Sequence, residues 1–495
     1  MKTKLLAAGW ALMAMAAWTL PGCGKGAGKA PGTADTTGTT PPPAFNINSI
    51  GDTYADVAPF ADHDQWGPYN VHDPSIKKFG NTYYCYSTDV AYGITVPAGI
   101  QVRTSPDLVQ WQFTGWAFPS IPPMGAAYIT ANGGVPNDAL WAPYIIQVGS
   151  EYRLYYSLAS ATPKLSVIGL ETSASPAGPW QERGVVVGST PSLSITNAID
   201  PTVVVTPSGD HWMYYGSAFD GIYALQLDPV TGLALQTGDV GTRIANRGYT
   251  NGQYNGNIEG AEIIYNPQLQ KYYLFIAYDW LTTKYNVRVG RGTQPNGPFY
   301  DYLGQDINTN VDHIPMIIAP YQFNGHGGWQ GTAHCTVFTD GSGQYFIAHQ
   351  GRPGVNYNFM DLHVRKLFWT PDGWPVASPE RYAWENNDTV AVDSLLGTYE
   401  EIDLNYEIVP GYAAQQVSPD FQTSVPLVIA AGGTFNGNTA DTWSYTGPWL
   451  TLHWSTGRTD QLFVQAGRDW ENKRSTIILT GLDNSGTAIW GKKTQ

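Results

Sequence analysis

Five Tyr-rich segments recur along the chain: NTYYCYST (81–88), EYRLYYSLAS (151–160), DHWMYYGSA (210–218), KYYLFIAYD (271–279) and GQYFIAHQG (343–351). Each is alternating or near-continuously apolar and rich in β-prone side chains. Most follow a turn of Gly, Ser, Asn or Asp, so each reads as a β-strand. Their spacing of roughly 60 to 70 residues leaves room for one four-stranded blade with generous loops. A second echo, TSPDLVQW (104–111), TSASPAGPW (172–180) and GTQPNGPF (292–299), falls at similar offsets after three of those strands. No long amphipathic helix intervenes. The pattern predicts an all-β fold with a five-bladed β-propeller over residues 51–384; an array of β-sandwiches is the competing reading.

About ten residues before each Tyr-rich strand sits another short strand: HDPSI (72–76), WAPYI (141–145), IDPTV (199–203), EGAEI (259–263) and AHCTV (333–337). The first strand of a propeller blade lines the central axis, so these five segments should converge. They would bring together Asp73, Trp141, Asp200, Glu259 and His334, one from each blade. Clustered like charges repel, and a fold built only for stability would put small or apolar side chains there. Asp200 and Glu259 lie on consecutive blades, and an ionised Asp200 would keep Glu259 protonated, as a general acid requires. Asp73 is adjacent to neither, which leaves room for a water molecule. That is the geometry of an inverting glycosidase, whose carboxyl groups stand roughly 6.5–9.5 Å apart. Asp73 is thus assigned as general base, Glu259 as general acid and Asp200 as the group that orients and modulates it. Glu262 on the same strand is the alternative acid. Trp141 is either a core aromatic or a platform for a sugar ring, and Phe219 and Tyr144 are further candidates for substrate contact.

The rest of the chain fits around this core. It has 495 residues, a formal net charge of -14, only 13 % charged residues, and abundant Gly (55), Tyr (31) and Trp (18). No Lys/Arg run occurs beyond the extreme N-terminus, which argues against a nucleic-acid partner. An acidic, aromatic-rich surface suits a neutral polysaccharide. Lys2, Lys4, the apolar run Leu5 to Leu20 and Leu20-Pro21-Gly22-Cys23 resemble a bacterial lipoprotein signal over residues 1–23, with Cys23 as the lipidated mature N-terminus. Residues 24–50, mostly Gly, Thr, Ala and Pro at first, read as a flexible tether that would hold an exported domain at the cell surface. Cys85 and Cys335 read as two buried thiols, with a bridge between them as the alternative. The repeat stops near Arg381, and residues 385–495 read as a separate small β-barrel or β-sandwich.

Taken together, HDPSI, WAP, AIDP, EGAE, GTAHCTVF and the closing GTAIWGKK resemble glycoside hydrolase family 43, and within it the endo-α-1,5-L-arabinanases that carry an extra C-terminal β domain. The resemblance implies an inverting mechanism with the same roles for Asp73, Asp200 and Glu259. It also implies that His334 lies beneath the active site near a bound, largely hydrated metal, usually calcium, although an isolated histidine is more often a satisfied core residue. Tyr144 departs from the family, whose members often carry Asp there. The expected activity is hydrolysis of internal bonds of plant cell-wall arabinan by a monomer. An exo-acting α-L-arabinofuranosidase or β-xylosidase and a non-catalytic carbohydrate-binding propeller are the alternatives.

Overall fold

The computed structural model describes residues 44–495 apart from 58, 194, 310–312, 406–409 and 412–416. The signal and most of the tether, residues 1–43, lie outside the described residues. Residues 44–50, with the short 3-10 turn Ile47–Ser49, fall in a small N-terminal unit of their own; Gly51–Gln495 form one compact unit.

Four of the expected repeats each form a free-standing four-stranded antiparallel sheet with strands in chain order. The innermost strands are Ser75–Phe79, Trp141–Val148, Thr202–Val205 and Ile258–Asn266. The second strands, Thr82–Ser87, Glu151–Ala159, His211–Tyr215 and Lys271–Tyr278, are the Tyr-rich segments, nearly all of whose residues are buried or half-buried. The fifth repeat differs from the expectation. Its strands Thr336–Thr339, Tyr345–Pro353, Asp361–Trp369 and Pro375–Ala377 keep the same antiparallel order but belong to a seven-stranded sheet. The long strand Tyr345–Pro353 causes the merger. Its first half pairs with Thr336–Thr339, while Arg352 and Pro353 pair with Trp329–Gln330. The free-standing blades therefore number four rather than five.

The arrangement is propeller-like because the innermost strands contact one another around a ring. Ser75–Phe79 touches both Trp141–Val148 and Thr336–Thr339, and the circuit continues through Thr202–Val205 and Ile258–Asn266. The core is correspondingly divided into layers between neighbouring sheets. Tyr144, Tyr155 and Ile168 of the second sheet pack with Val203, Met213 and Tyr215 of the third. Ile76, Tyr83 and Cys85 of the first meet Phe338, Phe346 and Ala348 of the fifth repeat. A two-faced sheet can bury both faces only by having a partner on each side, and the ring supplies it. Backbone pairing between residues 68–71 and 360–362 closes the circuit. Among the described residues one α-helix occurs, Pro123–Ala131, opened by a proline at its first position, where the missing N–H costs nothing.

The C-terminal segment is a closed eight-stranded barrel running from Gly397–Leu404 to Ala488–Lys493, which resolves the choice between barrel and sandwich. Its interior holds Tyr399, Leu427, Phe435, Leu450, Leu462 and Ile489, all at or below 1 % exposure. On its flank Ile402, Leu404, Leu482 and Trp490 share one core with the fourth and fifth repeats, so barrel and propeller are fused by apolar packing. Cys85 and Cys335 are both buried and unbridged, as their reading as small core side chains expected.

Candidate active site

Every innermost strand is entered through a residue in the left-handed region: Asp73 (φ 52°), Ala142 (36°), Asp200 (61°), Gly260 (58°) and His334 (53°). For side chains other than glycine this conformation costs on the order of 1–3 kcal/mol and persists only where the surroundings impose it. Four of the five N–H groups are taken up by side chains rather than by a sheet ladder. Asp73 donates to Gln350 Oε1 (2.9 Å), Ala142 to Thr88 Oγ1 (2.8 Å), Asp200 to Ser157 Oγ (3.1 Å) and Gly260 to Asp200 Oδ2 (3.2 Å). Gln350, Thr88 and Ser157 each lie near the end of the Tyr-rich strand of the preceding sheet. Four of the five repeats thus hold the entry to the next one. The backbone also corrects the sequence alignment: Trp141 and Glu259 stand one position before their repeat equivalents, Ala142 and Gly260. The pairing register breaks at these places, between Trp141 and Tyr144 and between Glu259 and Glu262.

The entry residues bring three carboxylates and His334 to one end of the ring. Asp73 is 7 % exposed; its Oδ1 lies 2.9 Å from His334 Nδ1, and its Oδ2 lies 2.6 Å from His72 Nδ1. Oδ2 also accepts from the Thr88 hydroxyl at 2.6 Å. Burial works to raise the Asp73 carboxyl, but His334 and His72 outweigh it and hold the group well below the ordinary carboxylate range. Asp73 is therefore a fixed anion. Asp200 is equally buried but accepts from the Gly260 N–H, beside Glu259. Burial, aided by the charges of Glu259 and Asp73, pushes its carboxyl up to about 8 despite His334. Glu259 is half-buried, with the Tyr285 hydroxyl donating to Oε1 (2.8 Å) and the Ser217 hydroxyl to Oε2 (2.6 Å). Burial tends to lower the His334 imidazole, yet Asp73, Asp200 and Glu259 raise it to about 9.

Other candidates separate clearly. Glu262 is 2 % exposed and bonded into the core, accepting from Thr202 Oγ1 (3.0 Å) and the Val337 N–H (3.1 Å), with Lys77 Nζ 3.8 Å away. It is a structural acid. Tyr144 is corrected as a substrate contact. Its ring is packed between the second and third sheets, and its hydroxyl donates to the Val203 carbonyl (2.9 Å). Trp141 is half-buried at the entry to its strand, one residue before Ala142. Phe219 is half-buried and follows Ala218, whose N–H donates to the Ile258 carbonyl (2.8 Å), so it stands next to the Glu259 strand.

Several groups around the carboxylates were not singled out in the sequence: His72, Thr88, Ser157, Ser217, Tyr285 and Gln350. Most had a signal. Thr88, Ser157, Ser217 and Gln350 are buried polar residues near the ends of four of the five Tyr-rich repeats, where an apolar core has no need of them. Tyr285 had none, because it lies in a connection without a repeat counterpart.

Comparison with known proteins places the chain in a family. The model of glycosyl hydrolases family 43 matches residues 67–375, and a C-terminal lipocalin-like domain model matches residues 379–491. An extracellular endo-α-(1→5)-L-arabinanase of Thermotoga petrophila is 29 % identical over 85 % of this chain and 93 % of its own length. An extracellular exo-α-(1→5)-L-arabinofuranosidase of Cellvibrio japonicus is 28 % identical over 62 % of this chain and 86 % of its own length. The crystal structure of endo-1,5-α-L-arabinanase from Thermotoga petrophila superposes with a TM-score of 0.73 at 26 % identity, covering 87 % of this chain and 99 % of that one. With its match spanning well over half of the sequence, the chain belongs to glycoside hydrolase family 43.

Proposed function

We propose that this protein is an inverting endo-α-1,5-L-arabinanase that acts on plant cell-wall arabinan. The observation that carries the reading is the division of labour among the converging carboxylates. Asp73, locked as an anion by two histidines and a hydroxyl, is suited to activate a water molecule. Asp200, whose carboxyl is pushed up to about 8, lies on the sheet next to that of Glu259, and Glu259 is assigned as the acid that protonates the glycosidic oxygen. Asp73 and Glu259 come from non-neighbouring sheets, which supports a separation that admits the water and hence inversion. The seven-stranded sheet is read as a fifth blade, because His334 enters it in the same left-handed conformation as the entry residues of the other four. The endo reading is favoured because two relatives that align through the barrel as well as the propeller, over 85 % and 86 % of the chain, are both named as endo-acting.

The residues also suit a hydrated calcium ion. His334 Nδ1 is oriented by Asp73, and Nε2 makes no hydrogen bond to a described residue. A cation held there by His334 and water would offset the charge of the carboxylates. The only group of three described acids placed to hold an ion directly is Glu380, Asp469 and Glu471, far along the chain and served by Lys492. Export is supported by relatives named as extracellular, and anchoring through Cys23 is part of the same proposal.

The test is a time course of products from linear arabinan. Mixed oligosaccharides should appear first, with the initial products in the β-anomeric form, and Glu259→Ala should lower kcat by at least about 10³-fold. Single sugars from the outset would establish the exo alternative, and undiminished turnover by the variant would refute the assigned acid.

A further inference from the structure

A short hairpin, Tyr249–Thr250 paired with Gln253–Tyr254, is inserted immediately before the strand Ile258–Asn266 that carries Glu259. It lies in a connection from an outermost strand to the next innermost strand. Such connections cross the end of the ring at which the innermost strands begin, the end that holds the carboxylates. Tyr249 and Tyr254 are direct cross-strand partners, so their rings project from the same face, with centroids 5.3 Å apart. The Tyr254 hydroxyl donates to the Phe219 carbonyl. Phe219 in turn follows Ser217, the donor to Glu259, by two residues. The tyrosine pair is thereby tied to the backbone of the loop that carries the Glu259 donor, while the Phe219 ring itself faces Lys164, whose ammonium lies 5.5 Å from its centre.

The loop that anchors the pair is held in a way that packing alone does not explain. Ala218 and Phe219 are consecutive left-handed residues, at φ 54° and 44°. For a bulky side chain this is a true outlier, and such strain gathers at ligand sites. Exposure rises along the hairpin: Tyr254 is half-buried, while Tyr249 is 70 % exposed. A tyrosine ring left in water at the end of a hairpin is an unused stacking surface.

We infer that Tyr254 and Tyr249 form an aromatic platform that binds sugar units of a polysaccharide beyond those at the cleavage point. The C–H faces of furanose rings are apolar and match the ring faces, and the hydroxyls at their edges remain in water. The inference rests on the carbohydrate-active reading of the site. It adds where the distal part of the chain lies: on the side of the third and fourth sheets, past Glu259.

The test uses the full-length Glu259→Gln protein, which should bind without turnover, in affinity electrophoresis through gels containing linear arabinan or arabinoxylan. Adding Tyr249→Ala should weaken retardation by about 5- to 10-fold in apparent Kd, and Tyr249→Phe should preserve it. Tyr300→Ala, an exposed tyrosine on the connection at the opposite end of the ring, should have no effect. Retardation that is unchanged by Tyr249→Ala in every gel, or absent from every gel, would overturn the platform. Arabinan turnover by the wild-type protein is read separately. If it is missing while arabinoxylan retards the protein through Tyr249, the substrate assignment fails and the platform stands.

Discussion

Two clusters in this molecule are built alike, from three carboxylates gathered about a basic side chain (at the ring end His72 adds a second), and use them in opposite ways. At the end of the ring, Asp73, Asp200 and Glu259 surround His334. Where propeller and barrel meet, Glu380, Asp469 and Glu471 surround Lys492, whose Nζ lies 2.9 Å from Glu380 and 3.0 Å from Asp469 and also bonds Glu471. Lys492 is 0 % exposed, and its ammonium lies 4.0 Å from the centre of the Phe323 ring. Burial tends to lower the lysine, but the three acids overcome it and hold it well above its usual range. Lys492 therefore remains a permanent cation, and the cluster is a charged rivet. At the ring end the basic group is a histidine that can give up its proton, Glu259 is half-open, and its carboxylate is bonded by hydroxyls. The number of acids is not what marks a catalytic site. Solvent access and a partner whose charge can change are.

The comparison is most severely tested by Lys492→Met. Removing one partner of a buried ion cluster strands the others, at a cost of about 3–5 kcal/mol. The variant should unfold at markedly lower urea concentration near neutral pH, and part of the loss should return near pH 5 as the stranded acids take up protons. Specific activity of the folded fraction should match wild type. A variant that is inactive but fully stable would place this cluster in the catalytic machinery and dissolve the contrast.

The same contrast explains what was legible in the sequence. The strand repeat was plain because the Tyr-rich segments repeat as a periodic apolar pattern, and the positions of Asp73, Asp200, Glu259 and His334 followed from their places before those strands. The merged fifth sheet was not visible. It depends on Tyr345–Pro353 running on to pair with Trp329–Gln330, and strand length is weakly encoded in composition. Tyr144 was misread because it sits three residues after Trp141 across a bulge, which turns its side chain into the core. The Lys492 cluster was hidden too: Lys492 was quoted only as part of a closing motif, and its partners lie up to 112 residues away in the chain, at Glu380.

A third way of handling a buried acid lies at Asp89, where no ion pair with a described residue accompanies the carboxylate. Its Oδ2 accepts the N–H groups of Gly99 (2.8 Å), Ile100 (3.1 Å) and Leu140 (3.0 Å), which ties the first sheet to the entry of the second. Burial outweighs these donors and pushes the carboxyl up to about 6 from 3.8. The folded form thus holds the proton more tightly than the unfolded chain does. Asp89 costs no stability below pH 4, costs progressively more as pH rises from about 4 to about 6, and costs a constant amount above that. Asp89→Asn keeps an acceptor oxygen and removes the charge. Its stability relative to wild type should rise across that window by about 1–3 kcal/mol, at about 1.4 kcal/mol per pH unit at most. A difference that is flat with pH would mean that the three N–H groups alone neutralise the carboxylate.

The smallest effect should come from the hydroxyls at the ring end. Both oxygens of Glu259 accept hydrogen bonds, from Tyr285 and Ser217. Burial, with the charge of Glu259 next, raises the Tyr285 phenol well above its usual range, so it stays a donor throughout the working pH range. Such donors favour the carboxylate that Glu259 becomes after it has delivered its proton, and so they assist the acid step without taking part in bond making. Tyr285→Phe should lower kcat on arabinan by about 10-fold, the equivalent of one hydrogen bond to a charged group. It should slow an aryl arabinofuranoside with a good leaving group far less, because that bond breaks with little help from an acid. Equal losses on both substrates would instead make Tyr285 a part of the substrate-binding surface, and the hydroxyl pair would no longer set the two clusters apart.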